Sequence, residues 1–185
     1  MMTKQELRKR IRDNIRLMGT TEKKAESECI CRQIIATNEW QDARTVWLYA
    51  SMPDEVNLTL LMQHAAQSGK RIVLPVVDGD NLLIRHYEPE HTSISGVYNI
   101  EEPTSLCPTL DNLDEIDIAI IPGRAFTHDG QRMGRGKGFY DRILASLRCP
   151  KWGVAFSCQI VDSLPTDPWD ITLDNVFYPK KVSLY

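Results

Sequence analysis

The sequence predicts an α/β fold: a single domain with a mainly parallel central sheet and helices on both faces. Short apolar runs typical of buried strands recur along the 185 residues. A helical pattern separates two of these runs, which favours parallel strands joined by a right-handed crossover. No internal repeat, low-complexity tract or long linker divides the chain, and its length suits one domain covering residues 1–185.

The chain begins with two predicted helices. Residues 3–18 carry one apolar stripe at helical spacing, formed by Leu7, Ile11, Ile15 and Met18. Thr20 or Thr21 is expected to cap a second helix that ends near residue 37.

A strand, a helix and a hairpin follow. Residues 45–50 (TVWLYA) and 71–77 (RIVLPVV) are the predicted strands on either side of a helix that Asn57 caps and that runs to residue 67. The turn sequence DGD then predicts a hairpin with a further strand at 81–87.

The second half of the chain continues the pattern after a segment at 88–115 that is predicted to be mostly loop. The apolar runs 116–122 (IDIAIIP) and 151–156 (KWGVAF) predict two buried strands. A helix between them is indicated by Tyr140, Ile143, Leu144 and Leu147. Because ligands of such sheets bind at the carboxyl ends of the strands, we expect the loops that follow 45–50 and 116–122 to form the site.

Composition excludes several classes of protein. The net charge of −3 argues against a general nucleic-acid binder, and no stretch approaches the ~20 apolar residues of a membrane span. The N-terminus has no apolar core of a signal peptide. Five scattered cysteines lack zinc-site spacing and are expected to be free thiols in a reducing compartment. These features together predict a cytoplasmic soluble protein.

The stretch GQRMGRGKGFYDR (130–142) holds four of the ten glycines within nine residues, interleaved with three cations. Glycines let backbone N–H groups approach an anion closely, and the helix that follows offers its positive end. Interleaved Arg and Lys neutralise several negative charges at once, as a polyphosphate requires. The spacing matches neither a P-loop nor GxGxxG after a strand. A plain flexible surface loop is the alternative interpretation.

Residues on both sides of this loop add to the phosphate hypothesis. Phe139, Tyr140 and Asp141 supply aromatic surfaces and a carboxylate at the start of the helix. They favour a nucleoside triphosphate with its magnesium. On a helical wheel, Lys4 and Arg8 fall at the margin of the apolar stripe of the first helix. Cations there can reach into a cleft, but side chains that extend along apolar surface to water give the same pattern, so both interpretations stay open.

The segment PGRAFTHDGQRMGRGKGFYDR resembles the signature of the 5-formyltetrahydrofolate cyclo-ligase family, also called 5,10-methenyltetrahydrofolate synthetase. The resemblance extends, in order along nearly the whole chain, to KQELRK, SMPDEV, YNIEEP and LPTDPWDITLD. It implies an ATP-dependent ring closure of 5-formyltetrahydrofolate to 5,10-methenyltetrahydrofolate, with Mg²⁺ required and ADP and phosphate released.

The resemblance also implies roles for residues that handle ATP and metal. Lys4 and Arg8 would contact the phosphates. The main nucleotide loop would comprise Arg132, Gly134, Arg135, Gly136, Lys137, Gly138, Phe139 and Tyr140. Arg135 and Lys137 would be catalytic, stabilising the transferring phosphoryl group. Asp141 and Asp170 would bind Mg²⁺, with Asp174 as the near alternative to Asp170.

The same resemblance places the folate. Glu55 would hold the pterin, Ala50 and Met52 would line its pocket, and Tyr98 would pack on the folate. Phe139 would touch the substrate from the glycine-rich loop, where the family more often carries Tyr. The family usually continues after the glutamate with an acidic residue and Thr, but this chain reads VNL (56–58), which weakens any role for Asn57.

Three rival functions remain at this point: another ATP-dependent small-molecule ligase or kinase, a nucleic-acid-binding module, and a folate store without turnover. The expected partner is 5-formyltetrahydrofolate, with or without a polyglutamate tail. We expect no nucleic-acid or membrane partner, and a monomer or weak homo-oligomer. His128 is interpreted as an exposed turn residue, and Trp152 and Trp169 as packing residues.

Overall fold

The structure, a computed structural model, describes residues 2–94 and 100–180. Tyr98 lies outside the described residues. The helices are α1 (Lys4–Leu17), α2 (Thr20–Ile35), α3 (Asn38–Asp42), α4 (Thr59–Gln67) and α5 (Phe139–Leu144). The strands are β1 (Thr45–Trp47), β2 (Arg71–Asp78), β3 (Asn81–His86), β4 (Thr92–Ile94), β5 (Glu101–Pro103), β6 (Ile118–Ile121), β7 (Ala125–Phe126), β8 (Arg132–Met133), β9 (Lys151–Val154) and β10 (Asn175–Phe177).

Six strands form the central sheet in the order β10-β9-β6-β1-β2-β3. All neighbours are parallel except β2 and β3, which form the predicted antiparallel hairpin. Val46 of β1 pairs with Ile72 of β2 on one side and Ile118 of β6 on the other. From β1 the chain passes through α4 to its neighbour β2, whereas from β6 it passes through α5 to β9 in the opposite direction. The sheet therefore reverses its winding between β1 and β6.

Helices cover both faces of the sheet, as predicted, but unequally. Residues of α1 to α4 share one buried cluster with Val46 and Ile118. The other face carries α5, whose Leu144 is buried with Trp47 and Phe126. Successive β1 residues point to opposite faces because side chains alternate along a strand. The α/β fold with a mixed, mostly parallel sheet is confirmed.

Two predicted helix caps are wrong. The N-cap of α2 is Gly19, without a side-chain cap, so both Thr20 and Thr21 lie inside or at the start of the helix. The N-cap of α4 is Leu58 rather than Asn57, although the Asn57 side chain still accepts a hydrogen bond from the Thr59 amide. Asn57 therefore lies one residue before the N-cap, and its side chain forms an Asx turn with the Thr59 amide.

Several short elements have no counterpart among the predictions. They are α3, the edge strand β10, and the two-stranded sheets β4–β5 and β7–β8. Each strand of this set has two or three residues. Such runs are too short to show a periodicity and form only because a partner strand satisfies their backbone groups.

Candidate active site

A pocket of about 810 Å³, including the solvent at its mouth, opens where the winding of the sheet reverses. Parallel sheets bind ligands at such switch points, beyond the carboxyl ends of the strands. Tyr49 and Ala50 follow β1, and Pro122 and Gly123 follow β6. The predicted position of the site at these two loops agrees with this pocket.

The pocket brings together many predicted site residues. They are Ala50, Met52, Glu55, Arg132, Gly134, Arg135, Lys137, Gly138, Phe139, Tyr140 and Asp141. Residues that the sequence analysis did not name also line it: Pro75, Val77 and Leu82 from the β2–β3 hairpin, and Ile100 and Glu102 near β5. Burial raises the pKa of Glu102.

Two positions in and beside the glycine-rich loop require glycine. Gly138 is the N-cap of α5 with φ +67°, in the left-handed region that favours glycine. Gly130 has φ +92°, and a Cβ there would lie 2.3 Å from the Leu173 carbonyl oxygen. Any other residue at Gly130 would therefore push apart the loop and the segment that precedes β10.

Arg132 is a buried cation that organises the start of α5. Its side chain is 4% exposed; Nε donates to the Pro122 carbonyl at 2.8 Å and Nη1 to Asp141 Oδ1 at 2.8 Å. Its guanidinium lies 5.3 Å from the Tyr140 ring centroid. Burial lowers the pKa of Arg132, against the opposing effect of Asp141. Arg132 thus fixes Asp141 beside the loop, and two of its donor groups are engaged by the protein itself.

Arg135 projects across the pocket to the loop after β1. Its Nη2 lies 2.5 Å from Asp54 Oδ1, and its Nε and Nη2 donate to Glu55 Oε1 at 3.1 and 3.0 Å. Asp54 Oδ2 in turn accepts from Nη1 of the buried Arg124 at 2.8 Å. Burial alone would raise the pKa of Asp54, but hydrogen bonds and charge from Arg135 and Arg124 outweigh it and lower that pKa. Two acidic side chains therefore hold Arg135.

Hydrogen bonds to both carboxylate oxygens orient the Glu55 side chain. Oε2 accepts from the Met52 backbone N–H at 3.0 Å, while Oε1 faces Arg135. The neighbouring Tyr49 hydroxyl donates to the Val56 carbonyl at 2.9 Å, and burial raises the pKa of Tyr49 well above its ordinary value. Tyr49 therefore braces the loop that carries Glu55 and stays protonated.

The first helix lies against the glycine-rich loop. Arg8 Nε donates to the Gly134 carbonyl at 2.9 Å, and the Arg8 guanidinium lies 3.6 Å from where a Cβ of Gly136 would be. Lys4 Nζ contacts Asp167 and Asp170 at 2.6 and 2.8 Å. Burial opposes protonation of Lys4, but both carboxylates outweigh it and raise its pKa. Of the two cations at the helix margin, Arg8 therefore contacts the glycine-rich loop, whereas Lys4 contacts the segment that carries Asp167 and Asp170.

Both candidate metal carboxylates interact with the buried Arg132. Asp141 Oδ1 contacts Arg132 directly. Burial would raise the pKa of Asp170, but hydrogen bonds from Lys4 and the Asp167 backbone, with the charges of Lys4 and Arg132, outweigh it and lower that pKa. Asp174 is different: its Oδ2 accepts from the Lys151 backbone N–H at 2.7 Å, at the first residue of β9. Asp174 therefore lies at the amino end of β9, whereas the pocket opens beyond the carboxyl ends of the strands.

The aromatic residues divide between the pocket and the surface. Tyr140 stacks on Trp47 with ring centroids 5.9 Å apart, and Lys137 Nζ lies 5.7 Å from the Phe139 ring centroid. Trp152 packs against the core as predicted. Trp169 is 69% exposed, so its predicted packing role is wrong.

Residues 1–179 match the model of the 5-formyltetrahydrofolate cyclo-ligase family. The chain belongs to this family. It is 36% identical over 146 residues to the 5-formyltetrahydrofolate cyclo-ligase of Escherichia coli (strain K12), covering 76% of this chain and 80% of that protein. An NMR structure of Aquifex aeolicus 5,10-methenyltetrahydrofolate synthetase superposes with a TM-score of 0.84 at 32% identity, covering 95% of this chain and 89% of that one. A Mycoplasma pneumoniae 5,10-methenyltetrahydrofolate synthetase gives 0.78 at 28% identity, covering 96% and 99%.

Membership of the cyclo-ligase family assigns the chain to the ATP-dependent ligases of folate one-carbon metabolism, with 5-formyltetrahydrofolate cyclo-ligase activity. Among the described residues, no helix is long and apolar enough to cross a membrane. Within that same part of the chain, no three His, Cys, Asp or Glu side chains cluster as a ready-made metal site.

Proposed function

We propose that the chain closes the ring of 5-formyltetrahydrofolate by phosphorylating its formyl oxygen with Mg-ATP. The observation that carries this mechanism is the contact between Glu55 and Arg135 inside one pocket. It joins a carboxylate suited to pterin N–H donors with a cation suited to a phosphoryl group. The two substrates would therefore meet where these side chains meet.

The folate side of the pocket is formed by the loop after β1 and the β2–β3 hairpin. Glu55 would accept hydrogen bonds from the pterin, with Ala50 and Met52 beside it. Pro75, Val77 and Leu82 add an apolar wall suited to an aromatic ring system. Phe139 would contact the folate from the opposite loop, and Tyr98 remains a proposed contact outside the described residues.

The ATP side is formed by α1 and the glycine-rich loop. Lys4 and Arg8 would bind phosphates together with backbone N–H groups of residues 134–138. Tyr140 would close the inner end of the loop. Arg132 would contribute by holding Asp141 in place, since it is itself buried.

The chemistry demands charge neutralisation more than a covalent catalyst. The formyl oxygen would attack the γ-phosphorus while the bond to ADP breaks, giving an iminium phosphate. N10 of the folate would then attack the formyl carbon, lose its proton and expel phosphate. Arg135 and Lys137 would stabilise the negative charge of the transferring phosphoryl group.

The carboxylate oxygens of Asp141 and Asp170 fit a magnesium ion. Mg²⁺ prefers oxygen ligands and usually takes one or two protein carboxylates beside substrate phosphates. Each of these aspartates has a cation on one oxygen, Arg132 on Asp141 and Lys4 on Asp170, so the other oxygen can face the ion. The ion would supply charge neutralisation for the phosphates.

The test is to mix the protein with 5-formyltetrahydrofolate and Mg-ATP and follow the near-ultraviolet absorbance of the methenyl product. We expect product only with ATP and a divalent metal, with about one phosphate released per ring closed, as the scheme above requires. Ring closure at an undiminished rate without ATP would overturn the mechanism. Phosphate release with other substrates, but no methenyl product, would instead indicate another ATP-dependent ligase or kinase.

A further inference from the structure

Arg124 and Asp54 form a connection to the catalytic pocket that neither the family match nor the predicted site residues assign. Arg124 follows β6 and Asp54 follows β1, 70 residues apart in sequence, and their side chains meet at 2.8 Å. Asp54 then contacts Arg135, 81 residues away in the glycine-rich loop. One carboxylate thus ties together three loops of the pocket.

Arg124 is well placed to be the fixed end of this connection. Its side chain is 9% exposed and its backbone is held at both ends. Its N–H donates to the Met133 carbonyl at 2.7 Å, and its carbonyl accepts from Gln159 Nε2 at 3.1 Å. Gln159 is itself buried and also bonds the Gly123 carbonyl. A cation anchored in this way restricts the position of Asp54.

Arg135 is held along one edge of its guanidinium. Arg135 donates hydrogen bonds from Nε and Nη2 to Glu55 Oε1, and from Nη2 to Asp54 Oδ1. An arginine has five N–H donors, of which Nη1 carries two. Within residues 2–94 and 100–180, Nη1 of Arg135 has no hydrogen-bond partner. The protein therefore fixes one edge of the group and leaves the other for an anion in the pocket.

We propose that Arg124 is a positioning residue: acting through Asp54, it sets where Arg135 presents Nη1 to the transferring phosphoryl group. This inference rests on the proposed function of Arg135. Glu55 alone would hold Arg135 at a single carboxylate oxygen, about which the guanidinium can pivot. The Arg124-anchored Asp54 adds a second point and removes that freedom. Displacement of a catalytic group by about 1 Å can lower a rate about 10²-fold.

The test compares Arg124→Met, Arg124→Lys and Asp54→Asn with wild type in single-turnover assays. Arg124→Met leaves no stranded buried charge, because Asp54 keeps Arg135 as its partner. We expect the single-turnover rate to fall roughly 10- to 100-fold with both KM values nearly unchanged, since the contact serves the transition state. Arg124→Lys should recover part of the rate because it keeps a cation near Asp54. The matched control is Arg148→Met, which removes an exposed arginine whose partner Asp114 lies 3.3 Å away, outside the pocket.

A second measurement separates positioning from general stability. In an Arg135→Ala background, Arg124→Met should have no further effect on the rate, because its effect passes through Arg135. Equal losses in both backgrounds, or a loss matched by Arg148→Met, would overturn the proposal. If wild type formed no product, the proposed function would fail by itself. Crystal structures of wild type and Arg124→Met would then decide: a shifted Arg135 guanidinium supports positioning, and an unshifted one refutes it.

Discussion

Replacing Asp141 with Asn tests two roles of one carboxylate. Asp141 is a proposed Mg²⁺ ligand and is also the acidic partner of Arg132, whose side chain is 4% exposed. Asn keeps the shape and an acceptor oxygen, so the Arg132 Nη1 hydrogen bond can persist without the charge. The substitution nevertheless lowers stability, because the buried Arg132 guanidinium loses its counter-charge.

The stability change can be bounded from these contacts. Exchanging a charge-assisted hydrogen bond for a neutral one costs about 1–1.5 kcal/mol. Breaking a buried ion pair outright costs roughly 3–5 kcal/mol. Since Asp141 is 23% exposed and Asn can still accept, we expect about 2 kcal/mol. For a domain of this size, each kcal/mol lowers Tm by about 2–4 °C, so Tm should fall by about 4–8 °C.

The activity change is measured separately, by Mg²⁺ titration of the initial rate at a temperature where circular dichroism shows both proteins folded. A metal ligand predicts a raised Mg²⁺ requirement and a loss of roughly 10²-fold that saturating Mg²⁺ does not restore. Asp114→Asn is the matched control, since Asp114 forms an exposed pair with Arg148, and it should change stability by less than about 0.5 kcal/mol. A lowered Tm with a normal rate at saturating Mg²⁺ would show that Asp141 is only the counter-ion of Arg132. An unchanged Tm would refute the stability estimate.

Three further outcomes are expected. Lys137→Ala should lower kcat by roughly 10²–10³ with little change in folate affinity, because its charge acts on the transferring phosphoryl group; an unchanged kcat in steady-state assays would exclude that role. Glu55→Gln should weaken 5-formyltetrahydrofolate binding far more than ATP binding in calorimetry, since the carboxylate accepts from the pterin; a fall in ATP affinity alone would reverse the assignment of the two subsites. Asp54 has a lowered folded-state pKa, so its ion pairs stabilise the protein above the ordinary aspartate pKa of 3.8, and that stability is lost as pH falls through the lowered value. The difference in free energy of unfolding between wild type and Asp54→Asn should therefore shrink as pH is lowered from 7 toward 2 in urea titrations; a constant difference would contradict the linkage.

Local signals in the sequence account for much of the fold. The capping box of Thr3 and Glu6 starts α1. Of the predicted apolar stripe, Leu7, Ile11 and Ile15 are buried, and Met18, the C-cap, is partly buried. The turn at Gly79, with φ +58°, makes the β2–β3 hairpin. The runs that became β2, β6 and β9 are apolar because parallel strands are covered on both faces. Such features depend on residues that are close in sequence, so they can be interpreted before the chain is folded.

The sequence predicted which loops form the candidate site, but not which side chains contact one another within it. The glycine-rich loop and the loop that carries Glu55 were predicted to meet because carboxyl ends of parallel strands share one edge of the sheet. The partners of each side chain were not predicted. No local pattern in the sequence shows that Asp54 pairs with Arg135, or that Arg124 within the signature pairs with Asp54.

Sequence by itself therefore determined the longer strands and helices, and which loop carries the glycines and cations of the pocket. Only the tertiary structure decided that β10 completes the sheet, that Asp170 pairs with Lys4, and that Asp54 connects Arg124 with Arg135. The physical reason is the range of the interactions. Periodicity, capping and turn chemistry act over a few neighbouring residues. The ion pairs of Asp54 with Arg124 and Arg135 instead span 70 and 81 positions of sequence, so they form only when packing brings the loops together.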